Sequence, residues 1–260
     1  MKRNISKYVS VCMAVTAFSV ISLDIGAQQT SFWGDQGDGT YRNPVIAADF
    51  SDPDVARKGN DYYMVLSTFE SCPGVTVLYS MDLVNWEIVG GVFDDLGKWS
   101  ENASPEKMAY YNKGVYAPSI RYHDGKFFVY VNLLEEGMFV GIATDPAGKW
   151  EVKQMIDKNG KPLKTNSWTD PCPFWDEDGK AYYATSRPGG MKWYSYLFQM
   201  SSDGTQLLDA DVDHMNEVDT QYEYEKGGRH ALFQKFLFRG KQDLQAKRLL
   251  LPCPYRVSGS

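Results

Sequence analysis

Ser51-Asp52-Pro53-Asp54-Val55 passes through a short polar turn into Asn60-Asp61-Tyr62-Tyr63-Met64-Val65, and the chain writes this stretch again. Thr169-Asp170-Pro171-Cys172-Pro173 leads in the same way to Asp178-Gly179-Lys180-Ala181-Tyr182-Tyr183. Ala117-Pro118-Ser119-Ile120 leads to Asp124-Gly125-Lys126-Phe127-Phe128-Val129-Tyr130, a copy without the acid. One structural unit therefore occurs three times, with a carboxylate at an equivalent point in two copies.

The repeat has a length. Pro53 and Pro118 are 65 residues apart, Pro118 and Pro171 are 53 apart, and each unit closes alike. The closing signals are Tyr79-Ser80-Met81-Asp82-Leu83 with Trp86, Ala143-Thr144-Asp145-Pro146 with Trp150, and Met200-Ser201-Ser202-Asp203-Gly204 with Leu207. Trp86 and Trp150 are 64 residues apart, so opening and closing signals keep the same first period. Units of several tens of residues with about four short strands each read as propeller blades. Val, Tyr, Phe and Thr between Asp-Gly or Asn-Asp turns favour hairpins over helices. Only residues 103–111 offer a short helical stretch. A β-sandwich also repeats its turns, but it has no reason to repeat a closing signature. The expected fold class is all-β, a β-propeller with about three blades near residues 45–90, 113–155 and 166–210. Asp52 and Asp170 are expected to face its axis.

Composition agrees. A chain of 260 residues that is 43% hydrophobic can bury a substantial core in one β-rich domain. Its net charge of −6 leaves no basic footprint, which argues against a nucleic-acid partner. Seven Trp and seventeen Tyr exceed what a β core needs, so some aromatics are expected to stack on a ligand.

Residues 1–27 read as a signal peptide. Lys2, Arg3 and Lys7 precede a mostly apolar run from Val9 to Leu23, and Ile25-Gly26-Ala27 supplies small residues before Gln28. The run is too short for a membrane span, so an exported protein, periplasmic or extracellular, is expected, with no membrane partner after cleavage. Residues 28–42, rich in Gly, Gln, Asp and Thr, read as a linker. Cys72, Cys172 and Cys253 remain in the mature chain. Cys72 and Cys172 are expected to be small buried thiols, with a disulfide between them as the alternative.

The paired acids carry the chemistry. Hydrolysis of a glycosidic bond needs one carboxylate as base or nucleophile and one carboxylic acid for the leaving oxygen. A further acid nearby raises the acid's pKa by like-charge repulsion. Asp52 precedes a proline, which is expected to hold its backbone extended and fix its direction. Asp-Pro alone starts turns; two in register on a repeat point to function.

Asn43-Pro44-Val45, Asp52-Pro53, Asp61-Tyr62-Tyr63, Ser67-Thr68-Phe69-Glu70 and Pro73-Gly74-Val75 resemble the opening of glycoside hydrolase family 43. Tyr79 to Trp86, Gly114-Val115-Tyr116-Ala117-Pro118 and Asp170-Pro171 with Asp176-Glu177-Asp178-Gly179 continue the resemblance across roughly residues 43–226. It implies a five-bladed β-propeller that hydrolyses β-xylosidic or α-L-arabinofuranosidic bonds with inversion, on xylo- or arabino-oligosaccharides. By position, Asp52 resembles the general base and Asp170 the acid that modulates pKa; Asp49 and Asp54 are rivals for the base. Phe69 and Tyr116 fall where pocket-lining aromatics stand, with Tyr116 in place of the usual Trp. Ser71 and Cys72 replace bulky aromatics of some members, which points to a different substrate subsite. The resemblance implies no cofactor. Some members hold a channel cation, but no residue pattern here indicates a structural calcium. His123, His214 and His230 lack ligand spacing, so no metal is expected. Asp176-Glu177-Asp178-Gly179 reads as a β-turn rather than a calcium loop.

Residues 43–228 are thus a partial propeller, and 229–260 an aberrant tail. Residues 1–228 carry 20 Lys/Arg and 32 Asp/Glu; residues 229–260 carry seven Lys/Arg and Asp243 alone. A basic interaction tail is one explanation. A second is a reading frame shifted by one nucleotide. Codons permitted from Arg239 to Leu251 then read Glu-Gly-Asn-Lys-Ile-Tyr-Lys-Arg-Asn-Gly-Tyr-Tyr-Tyr, which resembles the family's general-acid segment with Glu at position 239. Glu217, Glu223 and Glu225 are in-frame substitutes, but none precedes the required strand. On this reading the chain has about three of five blades and lacks its acid, with activity impaired and exposed sheet edges lowering solubility. A non-catalytic sugar-binding propeller is the alternative function.

Overall fold

A computed structural model describes residues 34–69, 74–101, 114–189, 192–217 and 231–236. The expected signal peptide, the helical stretch at 103–111, Cys72, Cys253, Glu223, Glu225 and Arg239 lie outside them.

Three four-stranded antiparallel meanders make up the body. The first comprises β3 (Asp54–Lys58), β4 (Asp61–Val65), β5 (Gly74–Ser80) and β6 (Glu87–Phe93). The second comprises β7 (Tyr116–His123), β8 (Lys126–Leu133), β9 (Gly137–Ala143) and β10 (Glu151–Gln154). The third comprises β11 (Thr169–Trp175), β12 (Ala181–Gly189), β13 (Lys192–Met200) and β14 (Ala231–Phe236). The first strands are neighbours across sheets, β3 against β7 and β7 against β11, which is the radial arrangement of propeller blades. The three repeats of the sequence are these three blades.

The middle blade shows why the fold holds. β8 is buried along seven of its eight residues, because period-2 alternation gives one face to each neighbouring blade. Phe127, Val129, Val131 and Leu133 join the core shared with the first blade. Phe128 and Tyr130 join the core shared with the third, beside Trp168, Tyr183 and Phe198. Each fully buried aliphatic or aromatic side chain contributes about 1.5–3 kcal/mol. On its other face the first blade packs Met64, Leu66 and Leu78 beneath Ile46, Phe50 and Trp86.

The closing signature of the repeat is the turn between the third and fourth strand positions. Asp82 accepts backbone N–H groups of Val84 and Asn85 at 2.9 and 2.7 Å, and Asp145 accepts that of Ala147 at 3.0 Å. Asp203 likewise accepts from Ser201 Oγ and from Thr205. The Trp86 and Trp150 indoles donate to carbonyls three and four residues back. These acids cap turns, as Asp does well. Asp124-Gly125 makes a hairpin turn with positive φ at both residues, +45° and +76°, matching the twist of its strands. Asp176 to Gly179 is also a β-turn, closed by Gly179 N–H to the Asp176 carbonyl at 3.0 Å.

Two expected boundaries move. Part of the linker at 28–42 is an ordered hairpin, β1 (Gly34–Asp35) paired with β2 (Tyr41–Arg42). Asp38 closes its turn onto Thr40, and the Asn85 amide donates to Asp35 at 3.0 Å, tying the hairpin to the first blade. Polar turn residues built structure where composition read as linker. The third blade, for its part, runs past residue 228. β14 pairs with the Lys192–Tyr196 half of β13, while Gln206–Leu208 flank its other end through the Met200–Leu207 bridge. Between them lies a short helix, α1 (Val212–Glu217). The excursion splits the fourth-strand position in two, so its inner half fell in a stretch whose charge reversal masked it.

Candidate active site

Each repeat begins with a residue in left-handed backbone immediately before proline. φ is +51° at Asp52, +38° at Ala117 and +55° at Asp170. In the second and third blades this X-Pro pair is the extra segment of a bulge: pairing jumps from Tyr116 to Ser119 and from Thr169 to Cys172. The expectation of an extended Asp52 is therefore wrong. A following proline disfavours the right-handed helical region, but it leaves the left-handed one open, and Asp tolerates that region. The bulge re-aims the side chain, a use bulges often serve beside functional sites.

Asp52 is exposed and held on one oxygen. Its Oδ2 accepts the Ser67 hydroxyl at 2.7 Å and the Ser51 hydroxyl at 3.1 Å. Its rival Asp54 is occupied. Asp54 pairs with Arg121 at 2.6 Å and accepts from the Ser119 hydroxyl and the Ile120 N–H, binding the first blade to the second. Arg121 also donates to the Pro173 carbonyl at 2.9 Å and to the Cys172 sulfur at 3.5 Å, reaching the third blade. Asp54 thus joins blades. Asp49 lies exposed outside any strand.

Asp170 is also exposed by area, yet loss of hydration is the first cause that raises its pKa. The Thr169 hydroxyl, 3.0 Å away, works in the opposite direction, and the negative charge of Asp52 raises the pKa further. The two acids of the repeat therefore share one electrostatic neighbourhood. The backbone under Asp170 is pinned by a buried polar chain. Tyr183 donates to Asn132, Asn132 to Thr185, and Thr185 to the Thr169 carbonyl, at 2.6, 3.0 and 2.7 Å.

Phe69 and Tyr116 meet edge to face with ring centroids 4.8 Å apart, both half-buried. They are brought together by a close approach of backbones. Thr68 bridges Val115, and a Cβ on Gly114 would run into the carbonyl oxygens of Thr68 and Phe69. Ser67 and Ala117 adjoin this pair in sequence and are themselves bonded, so the aromatic pair lies beside Asp52. Glu217 ends α1; its side chain is outside the described atoms. Sequence reasoning missed Ser67, Asn132, Thr185 and Arg121. Their role is to hold other groups, and no spacing rule marks that. Among the described residues, no group of three or more His, Cys, Asp or Glu side chains is placed to hold a metal ion.

Fold and site together define a propeller that gathers carboxylates and aromatics around the openings of its innermost strands. The profile of glycosyl hydrolases family 43 matches residues 41–231, and the chain belongs to that family, whose members are five-bladed propellers. It is 43% identical over 182 residues to a putative beta-xylosidase of Xylanibacter ruminicola, covering 69% of this chain and 31% of that protein. A beta-xylosidase of Formosa agariphila is 35% identical over 227 residues, covering 78% and 37%. A non-reducing end alpha-L-arabinofuranosidase of Bacteroides ovatus is 35% identical over 148 residues, covering 55% and 26%. A GH43_12 structure from a capybara gut metagenome superposes with a TM-score of 0.53 at 26% identity, over 63% of this chain and 30% of that one. The chain spans about a third of the length of these relatives.

Proposed function

We propose that this chain is part of a glycoside hydrolase that cleaves β-xylosidic or α-L-arabinofuranosidic bonds of plant oligosaccharides or polysaccharides with inversion. Asp52 is the general base that activates water, and Asp170 modulates the pKa of the general acid and orients it. Phe69 and Tyr116 line the sugar pocket. The observation that carries the reading is the pair of Asp-Pro steps with left-handed backbone at the Asp, equivalent in two blades, together with the negative charge of Asp52 raising the pKa of Asp170. The relatives named as a beta-xylosidase and an alpha-L-arabinofuranosidase support both pentoses, which similar pockets read.

The general acid is the missing member. Its segment belongs to the frame shifted by one nucleotide near Arg239, so the chain as written is impaired. The protein is exported, on the reading of residues 1–27, and meets its polysaccharide outside the cytoplasm.

The test is hydrolysis of aryl xyloside and aryl arabinofuranoside by the chain with its frame restored and its downstream blades present. Turnover that Asp52→Ala abolishes is the expected result. Ligand binding without turnover in the restored protein would overturn the catalytic reading in favour of a binding propeller.

A further inference from the structure

Ser67 stands two residues past the end of β4, with only 4% of its surface exposed. Three bonds fix it. Its N–H donates to the Ser51 carbonyl at 3.1 Å, and its Oγ accepts the Ala117 N–H at 2.8 Å. The same Oγ lies 2.7 Å from Asp52 Oδ2. A hydroxyl has one proton. The amide of Ala117 can only donate, so the Ser67 proton is free to go to Asp52, and an ionised carboxylate can only accept it. The direction of the chain is therefore set: Ala117 N–H to Ser67 Oγ, and Ser67 O–H to Asp52 Oδ2.

We propose that Ser67 is a positioning residue for Asp52. Held by the acid-less copy of the repeat, it clamps Oδ2 and leaves Oδ1 as the oxygen that takes the proton from water. Among the described residues, Oδ2 carries the bonds from Ser67 and Ser51 and Oδ1 carries none. The third copy thus has work without a carboxylate. Its bulge turns the Ala117 peptide so that its N–H, rather than a side chain, reaches the site. Charge-assisted bonds of this kind are the stronger class, and a buried donor fixed at its other end gives them direction. The inference rests on Asp52 being the reactive carboxylate.

The test reads Asp170, because the negative charge of Asp52 raises its pKa. The full chain, labelled with 13C at Asp side-chain carboxyls, is titrated by NMR, so the result does not depend on turnover. Asp52→Asn should lower the Asp170 midpoint by removing the like charge. Ser67→Ala should move it the same way by a smaller amount, as the released Asp52 swings into water. Ser67→Thr keeps the hydroxyl and should restore the wild-type midpoint. If Ser67→Ala does not reach wild-type folding by melting curve, Ser67→Cys, close in size with a weak donor, takes its place with the same expectation. An Asp170 midpoint that moves with Asp52→Asn but not with loss of the Ser67 hydroxyl overturns the proposal. So does one that moves equally in Ser67→Ala and Ser67→Thr, or one that ignores Asp52→Asn.

Discussion

Arg121 and Asp54 form a 2.6 Å ion pair that spans two blades, and the same guanidinium donates to the Pro173 carbonyl of a third. The pair answers a question the sequence leaves open, namely which of three neighbouring acids is available for chemistry. Asp54, two residues beyond Asp52, opens β3 and is consumed by Arg121, Ser119 and Ile120. Strand alternation would give residues i and i+2 the same face; the left-handed backbone at Asp52, just before β3 begins at Asp54, breaks that register and gives the two acids different partners.

Replacing Arg121 by Met should therefore loosen the junction of all three blades. Removing one partner of a fully buried pair costs about 3–5 kcal/mol. Here the two side chains keep 29% and 25% of their exposure, so water repairs part of the loss. The expected cost is about 1–3 kcal/mol, that of leaving a polar group without its partner. Urea unfolding reads it, and an unchanged midpoint would show that the pair adds nothing.

Ala117 is strained. Left-handed backbone at φ +38° costs an L-residue about 1–2 kcal/mol, and an alanine side chain offers no hydrogen bond in return. Ala117→Gly relieves that strain and loses about 0.5–1 kcal/mol to chain entropy. A rise in thermal midpoint is the expected outcome, with Ala117→Val falling well below wild type. A drop for Ala117→Gly would mean that the methyl packs in a way that outweighs the strain.

The architecture was legible because its devices are local. Asp-Gly turns, the closing-turn Asp and, in two blades, the Trp that follows it recur along the chain, and each does the same job in the blades where it occurs. The candidate site was legible where it repeats, at Asp52 and Asp170. Ser67 and Asn132 occupy matching places opposite Ser51 and Tyr116, the residues before the first two X-Pro pairs, yet one holds an acid and the other the hydroxyl of Thr185. Such supporting contacts depend on packing between blades and leave no periodic trace. β14 was hidden for a different reason: 22 residues, 209–230, separate it from Gln206–Leu208, the other half of its strand position. The backbone of Asp52 was misread because the proline rule excludes one region of conformational space without choosing between the other two.

Asp157 should be the most acid-sensitive support of the third blade. It is fully buried, and its Oδ1 accepts the N–H groups of Asn159 and Lys161 while Oδ2 accepts that of Val212 at the start of α1. Burial pushes its pKa up, but the three backbone donors outweigh burial and hold it below the ordinary 3.8. A lowered folded pKa means stabilisation that is present above the ordinary value and lost as pH falls through the depressed one. Asp157→Asn presents an N–H₂ where an acceptor is needed, and should cost about 1–3 kcal/mol at neutral pH. Melting curves at pH 7 and pH 3 check it: the gap between wild type and variant should narrow in acid. A gap independent of pH would contradict the assignment.

Asp170 carries the opposite sign. Its folded pKa is raised, first by lost hydration, so the fold prefers the protonated carboxyl and the charge is a burden at neutral pH. Asp170→Asn should raise the thermal midpoint at pH 7. The gain should fade as pH drops below the ordinary 3.8, where folded and unfolded chains are both protonated. A site kept at a cost in stability is expected of function, and a variant that melts lower at pH 7 would mark Asp170 as structural.

The last expectation concerns position 239. A general acid typically contributes about 10²–10⁴-fold in rate. On the proposed shifted frame position 239 is Glu, where the chain has Arg, so the 260-residue chain should show little or no hydrolysis of pentose glycosides even with Asp52 and Asp170 present. Arg239→Glu alone should not rescue it, because a carboxylate without the Asn-Gly-Tyr-Tyr strand behind it has nothing to aim it, and geometry precedes pKa in a working acid. Restoring the frame upstream of codon 239, with the blades that follow, should recover turnover with inversion at the anomeric carbon. The nucleotide sequence of codons 226 to 251 decides whether the shifted reading exists, and assays of the three proteins decide whether it matters. Robust turnover by the chain as written would refute the account and turn attention to Glu217, Glu223 and Glu225.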